Sequence, residues 1–371
     1  MKPAKRRKLL IVGAFLGEQN QVYGGVARSC EILMSSSFTQ RFDIVTVDST
    51  QISNPPPSFL VRLSLAAKRL IIFTRTVLYH RPNGVILFAS LGASFVEKSL
   101  MALLARLLGS RSYIFPRAGA LIERTEKAAV MYALVKILLR GAHVFLSQGK
   151  TWSNFALGPM KLSPSRVFLI PNWTATEAQL TIGRQRDLST EVRPKLLFVG
   201  WLEAYKGTFD LLEAVKQLRS KGYDFELTLA GRGNEELTAK KFVEGNSLDN
   251  VINFAGWVGP EELSQLLITH NIFVLPSWAE GLPNSMIEAM AAGLAVVVTR
   301  VGMIPDYLVD GEHALLVPAK DTAALEIAIE KLLIDAGLRK KIAQNGFNLA
   351  SQEFAVEPAV AKLADVIHAT L

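Results

Sequence analysis

The sequence predicts an α/β protein built from two doubly wound domains in series. Its 371 residues exceed what one ordinary hydrophobic core serves. Short apolar runs of strand length alternate with helical spacing along both halves. Residues 1–172 contain 23 Lys and Arg against 7 Asp and Glu, whereas residues 173–371 contain 18 against 26. Halves of opposite charge indicate two domains with different tasks.

The second half shows the alternation most clearly. Helical stretches separate its apolar runs, and strands alternating with helices are typical of a parallel sheet covered on both faces. The predicted strands are Leu196–Val199, Phe225–Ala230, Val251–Phe254, Ile272–Leu275, Ala295–Thr299 and Ala314–Val317.

The first half repeats this pattern less regularly. We expect a first domain over 1–172, a polar linker with a surface helix over 173–193, a second domain over 194–352 and a last helix over 353–371. The predicted strands of the first domain are Leu9–Val12, Phe42–Val47, Val85–Phe88, Ser112–Phe115, Val144–Ser147 and Val167–Ile170.

Composition limits where the protein works. The single cysteine, Cys30, excludes a disulfide within the chain and fits a reducing cytosol. The basic start, with Lys2 and Lys5, precedes an apolar run, but that run breaks at Gly17-Glu18 without a small-residue cleavage site, so we expect a β-strand rather than a signal peptide. The chain contains no uncharged run of about 18 apolar residues, so no transmembrane helix is expected.

The strongly basic first half predicts an anionic partner. Within it, Phe59–Arg81 has the spacing of a basic amphipathic helix, with Arg62 and Arg69 seven residues apart. Docking on an anionic membrane at its cytoplasmic face is one interpretation, and a packed helix with a solvated basic face is the other. Nucleic acid is not expected, because neither zinc-ligand spacing nor an aromatic-basic stacking motif occurs.

The strongest chemical motif runs from Glu280 to Glu288. It follows a predicted strand and leads through Gly281-Leu282-Pro283-Asn284 into a helix, whose unpaired N–H groups and dipole favour a diphosphate. Carboxylates at both ends suit the hydroxyl groups of a sugar. A structural alternative stays open, because Ser285 and Glu288 also have the spacing of a capping box.

Three further turns follow predicted strands. Lys206-Gly207 places a point charge for phosphate at a strand end, although a solvated loop lysine has the same pattern. Gly231-Arg232-Gly233 lacks the third glycine of a dinucleotide fingerprint and is weak by itself. Gly24-Gly25 would let the backbone approach a ligand closely, or form an ordinary turn between strand and helix.

Taken together, these segments resemble family-4 retaining glycosyltransferases of the group 1 type. The similarity is dense over residues 196–320, including Phe254–Val258 and Glu288–Gly293, and thinner over 1–172. It implies the GT-B fold, in which two Rossmann-like domains face a central cleft, the first binding the acceptor, and the last helix returns to the first domain. It also implies hexose transfer from a UDP- or GDP-linked donor to a saccharide or lipid-linked acceptor, in the biosynthesis of cell-surface polysaccharide or glycolipid.

The resemblance also assigns roles to residues. Lys206 would contact the donor diphosphate, Glu280 the donor sugar and Glu288 the ribose. Candidates for catalysis are Lys206, Glu280 and Arg117. Candidates for donor binding are Gly24, Gly25, Lys206, Arg232, Glu280, Asn284, Ser285, Met286 and Glu288. No Asp-x-Asp pair occurs, so we expect neither a metal nor a cofactor besides the nucleotide sugar.

Two departures from the family keep other functions open. Trp201 occupies a position where relatives often carry an arginine, and Arg117 is the polar residue nearest to where many carry a histidine. A guanidinium stays protonated and cannot act as a base. The alternatives are a nucleotide-sugar epimerase and a weakly catalytic or non-catalytic nucleotide-sugar-binding partner in a polysaccharide assembly complex.

Overall fold

A computed structural model describes residues 6–15, 24–51, 57–90, 92–187 and 193–371. The chain divides into unit 1, Met1–Thr174 with Val356–Leu371, and unit 2, Ala175–Ala355. Lys2 and Lys5 of the predicted basic tail, residues 17–18 at the predicted break, and residues 188–192 of the predicted linker lie outside the described residues.

Unit 1 contains a parallel six-stranded sheet of order β2-β1-β3-β4-β5-β6. Its strands are β1 Lys8–Gly13, β2 Asp43–Asp48, β3 Gly84–Ala89, β4 Arg111–Pro116, β5 Val144–Ser147 and β6 Val167–Leu169. Its helices are α1 Gly25–Ser35, α2 Phe38–Arg41, α3 Phe59–His80, α4 Ala93–Leu107, α5 Ala120–Lys127, α6 Ala129–Gly141 and α7 Lys150–Leu157.

Unit 2 repeats this architecture with the order β12-β11-β10-β7-β8-β9, again parallel. Its strands are β7 Lys195–Val199, β8 Glu226–Ala230, β9 Ile252–Gly256, β10 Ile272–Leu275, β11 Ala295–Thr299 and β12 Leu315–Val317. Its helices are α8 Glu177–Gln185, α9 Thr208–Ser220, α10 Glu236–Gly245, α11 Pro260–Thr269, α12 Asn284–Ala291, α13 Ile304–Tyr307, α14 Thr322–Ile334 and α15 Ala336–Glu353. The predicted fold class is therefore confirmed.

The last helix, α16 Val356–Thr370, belongs to unit 1 although it follows unit 2 in sequence. Its buried face, from Ala359 to Ile367, joins a core with β1, β3 and β4. Polar contacts hold it as well, since Arg41 pairs with Asp365 at 2.8 Å and the hydroxyl groups of Tyr113 and Thr370 lie 2.8 Å apart.

The stretch 173–193, predicted as a linker with a surface helix, contains the helix α8 but is divided between the two units. Trp173 is buried in the core of unit 1, and α8 packs in unit 2 against α11, α12 and α15. Thr176 forms a capping box with Gln179, and the Arg186 guanidinium donates to three backbone carbonyls of unit 2, including His270 at 2.8 Å. The polar composition of this stretch is typical of a solvated linker. Here, however, Thr176 and Arg186 bind backbone groups rather than solvent.

Among the described residues, we find no helix with the length and apolar character needed to cross a bilayer.

Candidate active site

The strand order of unit 2 reverses beside β7. From β7 the chain proceeds outward through β8 and β9, then returns to place β10 on the other side of β7. Ligands of open parallel sheets bind outside the carboxyl ends of the strands at such a switch point. The loops that follow β7 and β10 are therefore where a ligand site is expected.

Two of the predicted site residues meet there. Lys206 closes a 3₁₀ turn, Ala204–Lys206, after β7, and Glu280 lies in the loop after β10. The Lys206 Nζ donates to the Glu280 Oε1 at 2.6 Å, and the two side chains are only 16% and 10% exposed. Ser277 donates its hydroxyl to the same Oε1 at 2.7 Å. The geometry thus fixes a cation and a carboxylate side by side at the switch point.

The charge of Lys206 is maintained by its partner. Burial by itself would lower the pKa of Lys206, but the negative charge of Glu280 and the hydrogen bond to it outweigh burial and raise that pKa above its ordinary value. Lys206 is therefore an ammonium throughout the neutral range. Such a group can neutralise a diphosphate but cannot accept a proton.

Glycines allow the loops around this pair to pack backbone against backbone. Gly207 has φ of 71°, and a Cβ there would lie 2.1 Å from the Pro276 carbonyl oxygen. A Cβ at Gly231 would lie 1.8 Å from the Gly200 carbonyl oxygen. The Gly-x-Gly turn that was weak as a sequence motif is therefore required by close backbone contact.

Helix α12 places the second carboxylate. It begins at Asn284 with Pro283 as its N-cap, and no side chain caps it. Ser285 is therefore already inside the helix, and the capping-box interpretation of Ser285 and Glu288 is wrong. Asn284 and Ser285 are half-buried in the first turn, while Met286 and Glu288 are buried.

The remaining unit 2 candidates lie on the loops after β7 and β8. The Leu202 N–H donates to the Arg232 carbonyl at 2.9 Å, so the two loops are joined beside Trp201. Trp201 is half-buried and Arg232 is exposed. Arg232 thus lies on the expected edge of the sheet, and its contact with a donor stays a prediction.

Unit 1 holds the other candidates. Gly24 is the N-cap of α1 at φ of −133°, and a Cβ there would have no neighbour within 4 Å. Arg117 follows β4 and donates to the Ser29 hydroxyl at 2.8 Å, with its guanidinium 5.0 Å from the centroid of Phe115 and 5.4 Å from that of Trp173. These contacts give Arg117 a packing role in unit 1. Its predicted catalytic role is not tested by them.

Sequence reasoning missed a residue that holds the Glu280 loop. Trp278 donates its indole N–H to Asp210 Oδ2 at 2.6 Å, and its backbone N–H donates to the Tyr205 carbonyl at 2.7 Å. The Lys320 Nζ lies 4.5 Å from the Trp278 ring centroid. Trp278 therefore ties the loop after β10 to the segment that carries Lys206. Only its position two residues before Glu280 could have indicated it.

A second charged cluster, also missed, lies in unit 1. Arg69 on α3 binds Glu97 on α4 through two hydrogen bonds of 2.7 and 2.9 Å, and the Lys98 Nζ lies 3.6 Å from the same carboxylate. Asp48, which acts electrostatically on both cations, is paired in register with Gly13 at the end of β1. The cluster therefore lies by the switch point of the first sheet, between β1 and β3.

The pKa of Lys98 is lowered, whereas the pKa of Lys206 is raised. Lys98 is only 2% exposed, and burial lowers its pKa to about 8, because the Glu97 charge offsets the loss of water only in part and Arg69 opposes protonation. The Glu97 carboxylate interacts with both Arg69 and Lys98, whereas Lys206 has Glu280 as its ion-pair partner.

The histidines have structural contacts. The Ser112 N–H donates to His143 Nδ1 at 3.1 Å, and His270 Nε2 lies 2.8 Å from the Thr228 hydroxyl. Burial lowers the pKa of both imidazoles. Among the residues that the structure describes, no group of three or more His, Cys, Asp or Glu side chains has a metal-binding arrangement. Independence from metals stays a prediction.

Comparison with known proteins finds a family match for most of unit 2. Residues 183–349 match the family model for glycosyl transferases, group 1. This region therefore resembles group 1 glycosyl transferases. It contains the Lys206–Glu280 pair, Glu288 and all the glycine turns of unit 2 described above.

Curated relatives of the transferase region include the α-D-kanosaminyltransferase of Streptomyces kanamyceticus, 28% identical over 191 residues, or 52% of this chain and 49% of that protein. The lipopolysaccharide core biosynthesis glycosyltransferase LpsE of Rhizobium meliloti is 29% identical over 189 residues, or 51% of this chain and 54% of that protein. The chain thus spans about half the length of these curated relatives.

Solved structures extend the likeness to both units. Sucrose-phosphate synthase from Thermosynechococcus elongatus matches with a TM-score of 0.77 at 17% identity, covering 98% of this chain and 99% of that one. Anabaena HepE in complex with UDP matches with a TM-score of 0.71 at 16% identity, covering 98% and 100%. The chain therefore has the GT-B fold.

Proposed function

We propose that this protein is a retaining glycosyltransferase that moves a hexose from a nucleoside diphosphate sugar to a saccharide or lipid-linked saccharide. The observation that carries the proposal is the Lys206–Glu280 ion pair at the switch point of unit 2. A buried ammonium next to a carboxylate suits a ligand in which a diphosphate adjoins sugar hydroxyl groups. The match of residues 183–349 to group 1 glycosyl transferases supports the same activity.

Each group then has one task. Lys206 and the first N–H groups of α12 bind the diphosphate, and they stabilise the negative charge that grows on it as the glycosidic bond breaks. Glu280 and Glu288 accept hydrogen bonds from the donor sugar and the ribose. The departing phosphate oxygen takes the acceptor proton on the face that it leaves. This path retains the anomeric configuration, and it requires neither a protein base nor a divalent metal.

The acceptor is proposed on coarser grounds. LpsE acts in lipopolysaccharide core biosynthesis, and the putative WcaL of Salmonella typhimurium, 28% identical over 180 residues, is named for colanic acid biosynthesis. These names support an acceptor in cell-surface polysaccharide or glycolipid assembly. The basic unit 1 favours a lipid-linked saccharide and a cytoplasmic location at the membrane.

The test is nucleotide release by the purified protein from UDP-, GDP- and ADP-sugars, with and without a chelator. We expect release from one donor that resists the chelator and is lost in Lys206→Ala and Glu288→Ala. Lys195→Ala is the matched control, because Lys195 opens β7, pairs with Glu226 at 3.1 Å and lies at the opposite edge of the sheet from Lys206. Product analysis should find a transferred sugar with its configuration retained, rather than an epimerised donor.

Three results would contradict the proposal. If the protein neither releases nor binds a nucleotide, it is not a glycosyltransferase and the Lys206–Glu280 pair does not bind a donor. Binding without release would favour the non-catalytic partner that Trp201 suggests. Equal losses in Lys195→Ala and Lys206→Ala would show that the switch-point pair has no special role.

A further inference from the structure

An apolar and basic surface lies on one side of unit 1. Helix α3, which the structure describes in full, buries only Phe73 and Val77 of its 22 residues. Large apolar side chains are exposed along it and along α4 and α6, which contact one another in the order α3, α4, α6. They include Phe59, Leu60, Leu63, Ile71, Leu78 and Tyr79 on α3.

Topology places the three helices in one layer. They connect β2 to β3, β3 to β4 and β4 to β5, which succeed one another in the same direction across the sheet. Right-handed crossovers in one direction put their helices on the same face of the sheet. The exposed sides of α3, α4 and α6 therefore form a common surface, which we call the helix-layer face.

Spacing shows how this face is organised. Leu60, Ile71 and Leu78 are 11 and 7 residues apart, so they form one stripe along α3. Lys68 and Arg75, both exposed, lie seven residues apart on a neighbouring stripe. Long basic side chains beside an apolar stripe can reach lipid headgroups while the apolar groups enter the acyl boundary.

Charge identifies the partner. Helices α3, α4 and α6 contain four, two and two Lys or Arg residues and a single acidic residue, Glu97. Glu97 is buried between Arg69 and the buried Lys98, so the surface charge comes from the other six basic residues. A second copy of the chain would bring the same positive charge to the contact, and an anionic bilayer would bring the opposite charge.

We propose that the helix-layer face docks unit 1 on an anionic membrane, with Leu60, Ile71 and Leu78 inserted at the lipid boundary. Docking of this kind lies in the interface and needs no spanning helix. The inference rests on exposure and charge in unit 1 and does not depend on the sugar-transfer activity proposed for unit 2.

Vesicle flotation of the full chain tests the proposal. The vesicles are phosphatidylcholine alone, or phosphatidylcholine with about 30% phosphatidylglycerol to supply negative charge. We expect binding to the anionic vesicles, weakened in about 1 M NaCl, where the Debye length falls to about 3 Å. Both Leu60→Ser/Ile71→Ser/Leu78→Ser and Lys68→Glu/Arg75→Glu should reduce binding about tenfold or more.

Matched controls come from unit 2. The three test side chains are 75%, 55% and 56% exposed, and Leu237, Ile327 and Ile334 are 66%, 51% and 65% exposed. Leu237→Ser/Ile327→Ser/Ile334→Ser should bind as the wild type does. Lys241→Glu/Lys340→Glu, at exposed positions, makes the same change in net charge and should also leave binding intact.

Four outcomes would overturn the proposal. They are failure of the wild type to bind anionic vesicles, equal binding to phosphatidylcholine alone, undiminished binding by both test variants, and equal losses in the controls. A fifth outcome would also overturn it: if the protein self-associates without lipid and Leu60→Ser/Ile71→Ser/Leu78→Ser abolishes that association, the face binds a second copy instead. A circular dichroism melt of each variant excludes loss of fold as the cause.

Discussion

The lysine at the switch point of unit 2 and the lysine at the switch point of unit 1 both lie beside a glutamate, yet their environments differ. Lys206 has Glu280 as its own ion-pair partner at 2.6 Å, and its pKa is raised. Lys98 lies 3.6 Å from Glu97, whose two oxygens already bind Arg69, and its pKa falls to about 8. Burial by itself therefore does not determine whether a lysine is charged. The outcome depends on whether the neighbouring carboxylate is already paired with another cation.

This contrast separates two kinds of site. In unit 2 a single ammonium is kept charged, and its carboxylate partner lies at the edge of the sheet where a ligand would bind. In unit 1 the carboxylate joins α3 to α4, and protonation of the buried lysine beside it costs stability. The first arrangement suits diphosphate binding and the second suits helix packing.

The largest effect should come from the backbone around the unit 2 pair. Gly231→Ala places a Cβ 1.8 Å from a backbone carbonyl, so we expect unfolding to become easier by about 3 kcal/mol or more. Gly24→Ala in unit 1 meets no atom within 4 Å and should change the free energy of unfolding by less than about 1 kcal/mol. Thermal or denaturant unfolding of both variants measures the difference. Similar values for the two would show that the turn in unit 2 is not constrained as described.

Next in size is the pH dependence that Lys98 contributes. Its pKa is about 8 when folded and about 10.4 when unfolded, so between these values the unfolded chain holds the proton more tightly. Stability contributed at this position must then rise with pH across that window. The stability of the wild type relative to Lys98→Met should increase by up to about 3 kcal/mol from pH 8 to pH 10.4.

Denaturant melts of both proteins at each pH give this difference. The subtraction cancels what other groups contribute to the pH dependence of the free energy of unfolding. Lys206→Met serves as the control, because a raised pKa puts its titration above this window and should leave the difference flat there. A flat curve for Lys98→Met would mean that this lysine is solvated and the contrast is absent.

A smaller effect should appear in nucleotide affinity. Glu280→Gln removes the charge that holds Lys206, so a nucleoside diphosphate should bind about tenfold more tightly, or about 1.4 kcal/mol. Turnover of the nucleotide sugar should fall, because the amide no longer accepts sugar hydroxyls as a carboxylate does. Glu97→Gln in unit 1 should leave the affinity unchanged. Weaker diphosphate binding by Glu280→Gln would show that Glu280 assists, rather than competes with, the phosphates.

The smallest effect concerns the loop that carries Glu280. Trp278→Phe keeps an aromatic ring and removes the hydrogen bond to Asp210, which should cost about 1 kcal/mol of stability. We also expect KM for the donor to rise a few-fold with little change in kcat, because the loop that presents Glu280 is held less firmly. Asp210→Asn retains an acceptor and should lie between the wild type and Trp278→Phe. A lower kcat at unchanged KM would argue against a positioning role.

Sequence periodicity anticipated much of the fold. The predicted strands Ile272–Leu275 and Ala295–Thr299 coincide with β10 and β11, and the helix expected from Phe59 ends within a residue of the prediction. These elements are defined by local apolar patterns. The boundary between the units within 173–193 could not be predicted from apolar spacing. Thr176 and Arg186 bind backbone groups there, but their polarity in the sequence is equally typical of a solvated surface.

The candidate site was anticipated in part. Lys206 and Glu280 lie 74 positions apart, and their contact follows from the strand order, which the family resemblance implied and local spacing could not supply. The capping-box alternative failed because α12 begins at Asn284, which leaves Ser285 inside the helix rather than at its N-cap. The clusters around Lys98 and Trp278 depend on side chains from separate elements, and no local pattern announces them.

The most direct test of the account compares the two lysines as ligands for phosphate. Calorimetric titration of a nucleoside diphosphate and of its nucleoside would be made with the wild type, Lys206→Met and Lys98→Met. We expect the wild type to prefer the diphosphate by roughly a hundredfold, Lys206→Met to lose this preference, and Lys98→Met to keep it. Retention of the preference by Lys206→Met, or its loss in a folded Lys98→Met, would contradict the placement of the donor site in unit 2.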